Sequence, residues 1–211
     1  GKVAKSVIYY TGDIHGQKYE IARFCKRFNL TREDTVVILG DVGANYCGDE
    51  RDKELKQALN SLKPTILCIH GNHEMRPEKI SSYNEKKWNG GTVWFEEDYP
   101  TLLFAKDGEI YTMESIRHIA IGGAYSVDKF FRLARGYGWW EDEQPSEETK
   151  AYVEQQLKVN QVDVVLSHTC PFRYEPTEVF LSGIDQSTVD TSVEEWLGRI
   201  EENISYTAWF C

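Results

Sequence analysis

The sequence predicts an α/β fold of two sheets, each covered by helices on its outer side. Three observations predict it. The first third alternates short strand-like runs with helix-period segments, the pattern changes after Gly90 to closely spaced strands, and helix and strand signals return from Ser146. Alternation of strand and helix requires a buried, largely parallel sheet, whereas closely spaced strands require antiparallel or mixed pairing. A chain of 211 residues with 41% hydrophobic content suits one compact core, so residues 1–211 are read as a single domain.

Ser6 to Thr11 reads as the first strand, Val36 to Leu39 as the second and Thr65 to Ile69 as the third. Between them, Gln17 to Phe28 sets Ile21, Phe24, Cys25 and Phe28 on one helical face, and Glu50 to Leu62 sets Leu55, Ala58, Leu59 and Leu62 on another. Pro64 ends the second helix, because the residue before a proline is pushed out of the helical region. Short strands follow at Thr92 to Phe95, Thr101 to Ala105, Glu109 to Met113 and Ile116 to Ile121, and Asp107-Gly108 carries a two-residue hairpin signal because both positions tolerate positive φ. Ser146 with Glu147 and Glu148 opens a helix to about Val159, and Val162 to Leu166 reads as a buried strand. Ser192 with Glu195 makes a capping box for a last helix through about Glu202, and Ser205 to Cys211 alternates as an aromatic-rich strand.

No apolar run approaches the roughly 20 residues that span a bilayer, and no signal-like segment opens the chain, so a soluble cytoplasmic protein without a membrane partner is expected. The formal charge of −10 repels polyanions, which argues against nucleic acid and leaves a small phosphorylated substrate, drawn in by bound cations, as the expected partner. Nothing in the sequence fixes the oligomeric state. Cys25, Cys47, Cys68, Cys170 and Cys211 are odd in number, widely scattered and without a Cys-x-x-Cys pair. They read as reduced thiols, mostly core filler.

Four clusters of ligand-type residues follow in order, each where a strand runs out: Gly12-Asp13-Ile14-His15-Gly16, Gly40-Asp41, Gly71-Asn72-His73-Glu74 and Ser167-His168. Open α/β sheets place ligand sites beyond the carboxyl ends of their strands, so these distant residues can meet in one cleft. Carboxylate, imidazole and amide oxygen together suit Mn²⁺, Fe or Zn²⁺ better than Ca²⁺, whose sites are mainly oxygen. Two divalent ions roughly 3.5–4 Å apart can share a carboxylate and a water and clamp a phosphate for in-line attack. On that plan Asp41 is the shared carboxylate, Asp13 and His15 hold the first ion, Asn72 and His168 hold the second, and His73 protonates the leaving oxygen. Mn²⁺ is the first expectation for the metal, with Fe, Zn, Ni or Mg as alternatives.

By these residues the chain resembles the calcineurin-like metallophosphoesterases, whose pattern reads Asp-x-His, Gly-Asp-x-x-Asp, Gly-Asn-His-Asp/Glu, His and Gly-His-x-His. The first, third and fourth elements match here, and the second matches at Gly40-Asp41. The resemblance implies a four-layer α/β/β/α sandwich of two mixed sheets, a dinuclear centre and phosphoester hydrolysis by a metal-activated hydroxide. Three departures qualify it. Ala44 stands where the family has the acid that orients the catalytic imidazole, with Asn45 beside it as the candidate substitute and substrate contact. The arginines with which phosphoprotein phosphatases grip phosphate are replaced by Gly43-Ala44 and His70. No Gly-His-x-His occurs, and the strand expected to deliver it ends at Trp209-Phe210-Cys211, so a native chain continuing past Cys211 is expected.

His70 and Tyr125 are further candidate substrate contacts, as are Arg132 and Arg135 in the basic and aromatic stretch Lys129 to Trp140, which reads as a loop able to wall the cleft. The alternative for that stretch is a surface loop packing its tryptophans on the sheet. His118 reads as a sheet residue, and Glu141 to Glu148 as a solvated acidic run leading into a helix. The leading functional expectation is a phosphodiesterase, because Ser167-His168-Thr169-Cys170-Pro171 looks more like the diesterase branch than the phosphoprotein branch. A phosphoprotein phosphatase or phosphomonoesterase is the alternative within the enzyme class. From another class comes a scaffold that keeps the fold without catalysis, supported by Ala44 and opposed by His73.

Overall fold

The computed structural model describes residues 5–174 and 189–211. Among the described residues, ten strands form two mixed sheets. The first contains β1 (Ile8–Thr11), β2 (Thr35–Ile38), β3 (Thr65–Cys68), β4 (Tyr83–Trp88), β5 (Gly91–Glu96) and β6 (Tyr99–Ala105) in the order β1-β2-β3-β6-β5-β4. Its first four members run parallel, and β5 and β4 close the edge antiparallel. The second sheet orders β7 (Ile110–Met113), β8 (Ile116–Ile121), β9 (Val164–Ser167) and β10 (Ala208–Phe210) as β10-β9-β8-β7, with only β7 antiparallel.

Strand periodicity divides the core into three layers. Val36, Ile38, Ile66 and Cys68 point to a cluster shared with Ile21 and Cys25 of α1 (Lys18–Arg27) and Leu55 and Leu59 of α2 (Glu50–Asn60). Val37, Leu39, Leu67 and Ile69, the intervening residues, meet Tyr111, Met113, Val164 and Leu166 between the sheets. The outer face of the second sheet is covered by Val153 of α4 (Glu147–Val159) and by Val193, Trp196, Leu197 and Ile200 of α5 (Ser192–Asn203). The result is the α/β/β/α sandwich. A short α3 (Lys129–Arg135) buries none of its residues and lies outside these layers, replacing the expected loop.

Local signals were outweighed in several places. Asp107-Gly108 does not close a hairpin, because β6 and β7 belong to different sheets. Asp107 instead accepts from the Gly122 amide at 2.8 Å and pairs with Arg76 at 2.8 Å, fixing the crossover. Tight hairpins lie at Asn89-Gly90 (φ 48 and 87), joining the unanticipated β4 to β5, at Glu97-Asp98, joining β5 to β6, and at Glu114-Ser115 (φ 51 and 62), joining β7 to β8. The capping box of the last helix does not form: Thr191 is the N-cap without a side-chain bond, and Asp190 accepts from the Ser192 amide at 2.8 Å.

The cysteine expectation is corrected as well. Cys170 and Cys211 form a disulfide, because they follow the ends of β9 and β10, adjacent parallel strands in register at Leu166 and Phe210. Sequence spacing did not show that closeness. Cys25 and Cys68 are buried free thiols as expected, whereas Cys47 is exposed. No helix among the described residues is long and apolar enough to cross a membrane.

Candidate metal centre

The loops after β1, β2 and β3 emerge side by side, and the first two are joined to each other. The His15 amide donates to the Asp41 carbonyl and the Gly16 amide to the Val42 carbonyl, both at 2.8 Å, so the β1–β2 pairing continues into the motif loops. His15 and Asp41 adopt left-handed φ of 43 and 45, a conformation rare for residues with a Cβ and concentrated at functional sites. Two glycines leave the room this requires. A Cβ on Gly40 would lie 2.2 Å from His168 Nδ1, and one on Gly71 would lie 2.0 Å from Asp41 Oδ1. A Cβ at Gly43 would lie 2.7 Å from the Gly16 nitrogen, which explains why no larger side chain sits there.

Asp41, 3% exposed, is the focus of the site. Its Oδ1 accepts from the His73 amide at 2.8 Å. Its Oδ2 lies 3.1 Å from His73 Nδ1, 3.5 Å from His168 Nε2 and 3.9 Å from His15 Nε2. Ligand atoms of His15, Asp41 and His73 all fall within 4.8 Å of one another, a grouping that could hold an ion. Asp13 joins through His15, with Oδ2 2.6 Å from Nε2. His168 gives Nδ1–H to the Leu39 carbonyl at 2.7 Å and directs Nε2 to Asn72 Oδ1 at 2.9 Å. All six of the expected metal and proton-donor residues therefore converge, although His73 stands among the ligand-type atoms rather than apart from them.

The residues supporting Asn72 were missed in the sequence. Asn72 Nδ2 donates to Ser126 Oγ at 2.9 Å, and the Ser126 hydroxyl and amide both donate to the buried Glu143. This chain turns the amide oxygen of Asn72 toward His168 and the centre. Glu143 thus belongs to a buried network and not to a solvated acidic run. No local pattern marks it; only the packing of the segment 123–143 beside β3 brings it there.

Charge in the cluster is strongly perturbed. Burial alone would raise the Asp41 carboxyl, but contacts from His168 and His73 outweigh it and hold the group well below the usual carboxylate range. Burial opposes the charged form of His168, yet the Asp41 carboxylate and the Leu39 carbonyl raise its pKa to about 9. Glu74 is pushed up to about 8 by burial and by the neighbouring Asp41 charge, so it is neutral at pH 7. A carboxylate surrounded by imidazoles, with a buried His73 Nδ1 lacking a hydrogen-bond partner among the described residues, fits a cation-binding site.

The candidate substrate residues separate. Arg132 lines the cleft beside the cluster, a cavity of about 410 Å³ bordered also by His15, Gly43, Tyr46, Cys47 and His73. Its Nε donates to Asp128 at 2.8 Å and its Nη1 to Tyr46 Oη and the Gly138 carbonyl at 3.2 Å. Arg135 is exposed against Phe131. Tyr125 is half-buried and does not line the cleft. Asn45 is buried and occupied by Tyr83, with Nδ2 2.8 Å from the phenol oxygen, so it does not replace the acid missing at Ala44. His70 lies in a second cavity with Arg76 and Tyr152, and burial with the Arg76 charge lowers its pKa and keeps it neutral. His118 is a buried sheet residue, as expected, bonded to Tyr10 and the Ile116 carbonyl.

Among known proteins, the family model described as calcineurin-like phosphoesterase matches residues 6–199, which takes in all four motifs. No curated protein and no solved structure matches the chain. The family supports metal-dependent phosphoester hydrolysis in general, and the candidate His/Asp site suits its use of divalent metals. Sandwich, motif order and matched span lead to one conclusion: the chain belongs to the calcineurin-like phosphoesterase family.

Proposed function

We propose that the protein is a metal-dependent phosphodiesterase working with two divalent ions, Mn²⁺ foremost, on a small phosphorylated substrate. The observation that carries this reading is the convergence of three imidazoles on Asp41 Oδ2, at 3.1, 3.5 and 3.9 Å. Asp13, His15, Asp41, Asn72 and His168 supply a carboxylate, imidazole and amide set of the kind transition metals take. What the ions provide when bound is Lewis acidity toward phosphoryl oxygens and activation of a water near neutral pH.

The chain's own residues do the rest. The buried Asp41 carboxylate keeps its charge in place against the neighbouring His73 and His168. Ser126 and Glu143 hold the Asn72 oxygen on the centre, and Arg132 faces the cleft, where it can meet a phosphate. His73 delivers a proton to the leaving oxygen, and its retention argues against a purely structural role for the site. A diester carries less negative charge than a monoester, which suits a cleft where Arg132 is already paired with Asp128 and Arg51 with Asp49.

The test is Mn²⁺-dependent hydrolysis of bis(p-nitrophenyl) phosphate and p-nitrophenyl phosphate, with Asp41→Asn and His73→Ala as controls. Diester turnover lost in both variants is the expected result. Turnover of the monoester alone would replace the reading with a phosphatase, and bound Mn²⁺ without turnover of either would leave a scaffold.

A further inference from the structure

Every relative that orients its catalytic imidazole with the acid of Gly-Asp-x-x-Asp has a carboxylate where this chain has Ala44, fully buried. Its neighbour Asn45 is held by Tyr83. A carboxylate nevertheless reaches the same imidazole from elsewhere. Asp128, at the N-cap of α3, places Oδ1 3.7 Å from His73 Nε2. Its other oxygen, Oδ2, is taken by Arg132 Nε at 2.8 Å, and Arg132 is itself tied to Tyr46 and Gly138. The guanidinium thus fixes the carboxylate with one oxygen turned to the histidine.

We propose that Asp128, pinned by Arg132, is the positioning residue for His73, doing from α3 what the missing acid at position 44 does in relatives. The assignment rests on the hydrolase reading above. A separation of 3.7 Å exceeds a hydrogen bond, but catalytic contacts are commonly long before substrate binds and tighten when it does. Anchoring Nε2 at Asp128 leaves Nδ1 on the side of Asp41, and Nδ1 is the buried nitrogen without a hydrogen-bond partner among the described residues. Asn72 Nδ2 is 3.4 Å from Nε2 and gives its other hydrogen to Ser126 at 2.9 Å, but an amide nitrogen can only donate, so it meets Nε2 when that nitrogen is unprotonated, whereas the Asp128 carboxylate can accept from Nε2–H. In the step itself a P–O bond forms from water, which releases a proton to solvent, the P–O bond to the leaving group breaks, the proton held by His73 passes to the departing oxygen, and His73 is then reprotonated from solvent. The otherwise unburied α3 is thereby explained as the element that carries a carboxylate to the centre.

The experiment compares the Mn²⁺-loaded full chain with its Asp128→Asn, Asp128→Glu, His73→Ala and Asp128→Asn/His73→Ala forms on methyl p-nitrophenyl phosphate and methyl phenyl phosphate. Phenolate leaves poorly and needs the proton; p-nitrophenolate does not. Asp128→Asn is expected to lower kcat on the phenyl ester about 30- to 100-fold and on the nitrophenyl ester less than about 5-fold, with KM and the Mn²⁺ Kd within about twofold. The double variant should be no slower than His73→Ala, since both act through one proton transfer, and Asp128→Glu should recover part of the loss. Equal loss on both esters, a rise in KM alone, a weakened Mn²⁺ Kd, or further loss in the double variant overturns the assignment. Because Asp128 is partly exposed, these variants should fold. Wild type that binds Mn²⁺ but cleaves neither ester removes the hydrolase reading and this assignment together, whereas active wild type with an unaffected Asp128→Asn removes only the assignment.

Discussion

Gly71→Ala adds one methyl group at the point where the loops after β2 and β3 press together at Asp41. The new Cβ would lie 2.0 Å from Asp41 Oδ1, 2.3 Å from its amide nitrogen and 2.7 Å from its Cγ. Ordinary contact begins near 3.4 Å, so the carboxylate must retreat by more than about 1 Å. The backbone cannot follow freely, because Asp41 is already in a left-handed conformation and its carbonyl is bonded to His15. Overpacking of this kind costs roughly 1–3 kcal/mol, which lowers the melting temperature of a chain this size by about 3–10 °C. A displacement of about 1 Å at a catalytic centre is enough to cost on the order of 100-fold in rate. Thermal unfolding, Mn²⁺ titration calorimetry and hydrolysis of bis(p-nitrophenyl) phosphate measure the three effects. Gly12→Ala is the control, since its Cβ would meet nothing within 4 Å although it too belongs to a motif. Activity within about threefold of wild type and an unchanged melting temperature in Gly71→Ala would refute the reasoning, as would equal damage from Gly12→Ala.

Three further outcomes are expected. The metal-free protein should lose stability as pH rises above about 6.5, where the lowered His70 and His118 no longer oppose the trend: Glu74, with its pKa raised to about 8, favours the unfolded chain progressively up to about 8, and His168, raised to about 9, gives stability that is full below about 6.5 and gone by about 9. Melting temperature followed from about pH 6.5 to 9 reads this slope, and Mn²⁺ should flatten the His168 part of it because a ligating imidazole is bound unprotonated. Ser126→Ala should destabilise by about 1–3 kcal/mol and weaken Mn²⁺ binding about 10- to 100-fold, by unpairing Glu143 and freeing the Asn72 amide, as denaturation and calorimetry would show. Reducing Cys170–Cys211, 41 residues apart, should cost about 2–4 kcal/mol in urea denaturation, and a midpoint unmoved by reductant would contradict it.

What was legible in the sequence was what short range decides. Strand cores such as Val36 to Ile38 and Thr65 to Cys68 announce themselves through β-branched runs, and Asp13, Asp41, Asn72 and His168 through their position at strand ends. Boundaries and partners were less visible. Asp107-Gly108 has the chemistry of a hairpin but serves a crossover between sheets, a matter of topology. The strand at Tyr83–Trp88 is an edge with mostly polar, exposed positions, so it shows no apolar run to read. Asp128, Ser126 and Glu143 act at the centre from a segment whose course depends on tertiary packing, and the disulfide depends on two strand ends becoming neighbours. Arg132, a guanidinium amid aromatics in an acidic chain, lines the cleft, whereas Asn45 is bonded to Tyr83, a contact that nothing local reveals.

The two backbone bonds joining His15 to Asp41 and Gly16 to Val42 have a consequence for motion. They tie the two motif loops together beyond the end of the β1–β2 ladder, so the half-exposed His15 is held through its backbone. The amides of His15 and Gly16 should therefore exchange with solvent only when the two loops part, more slowly than unbonded amides of an exposed turn. A histidine at the rim thus keeps its place through its backbone and not through burial of its ring.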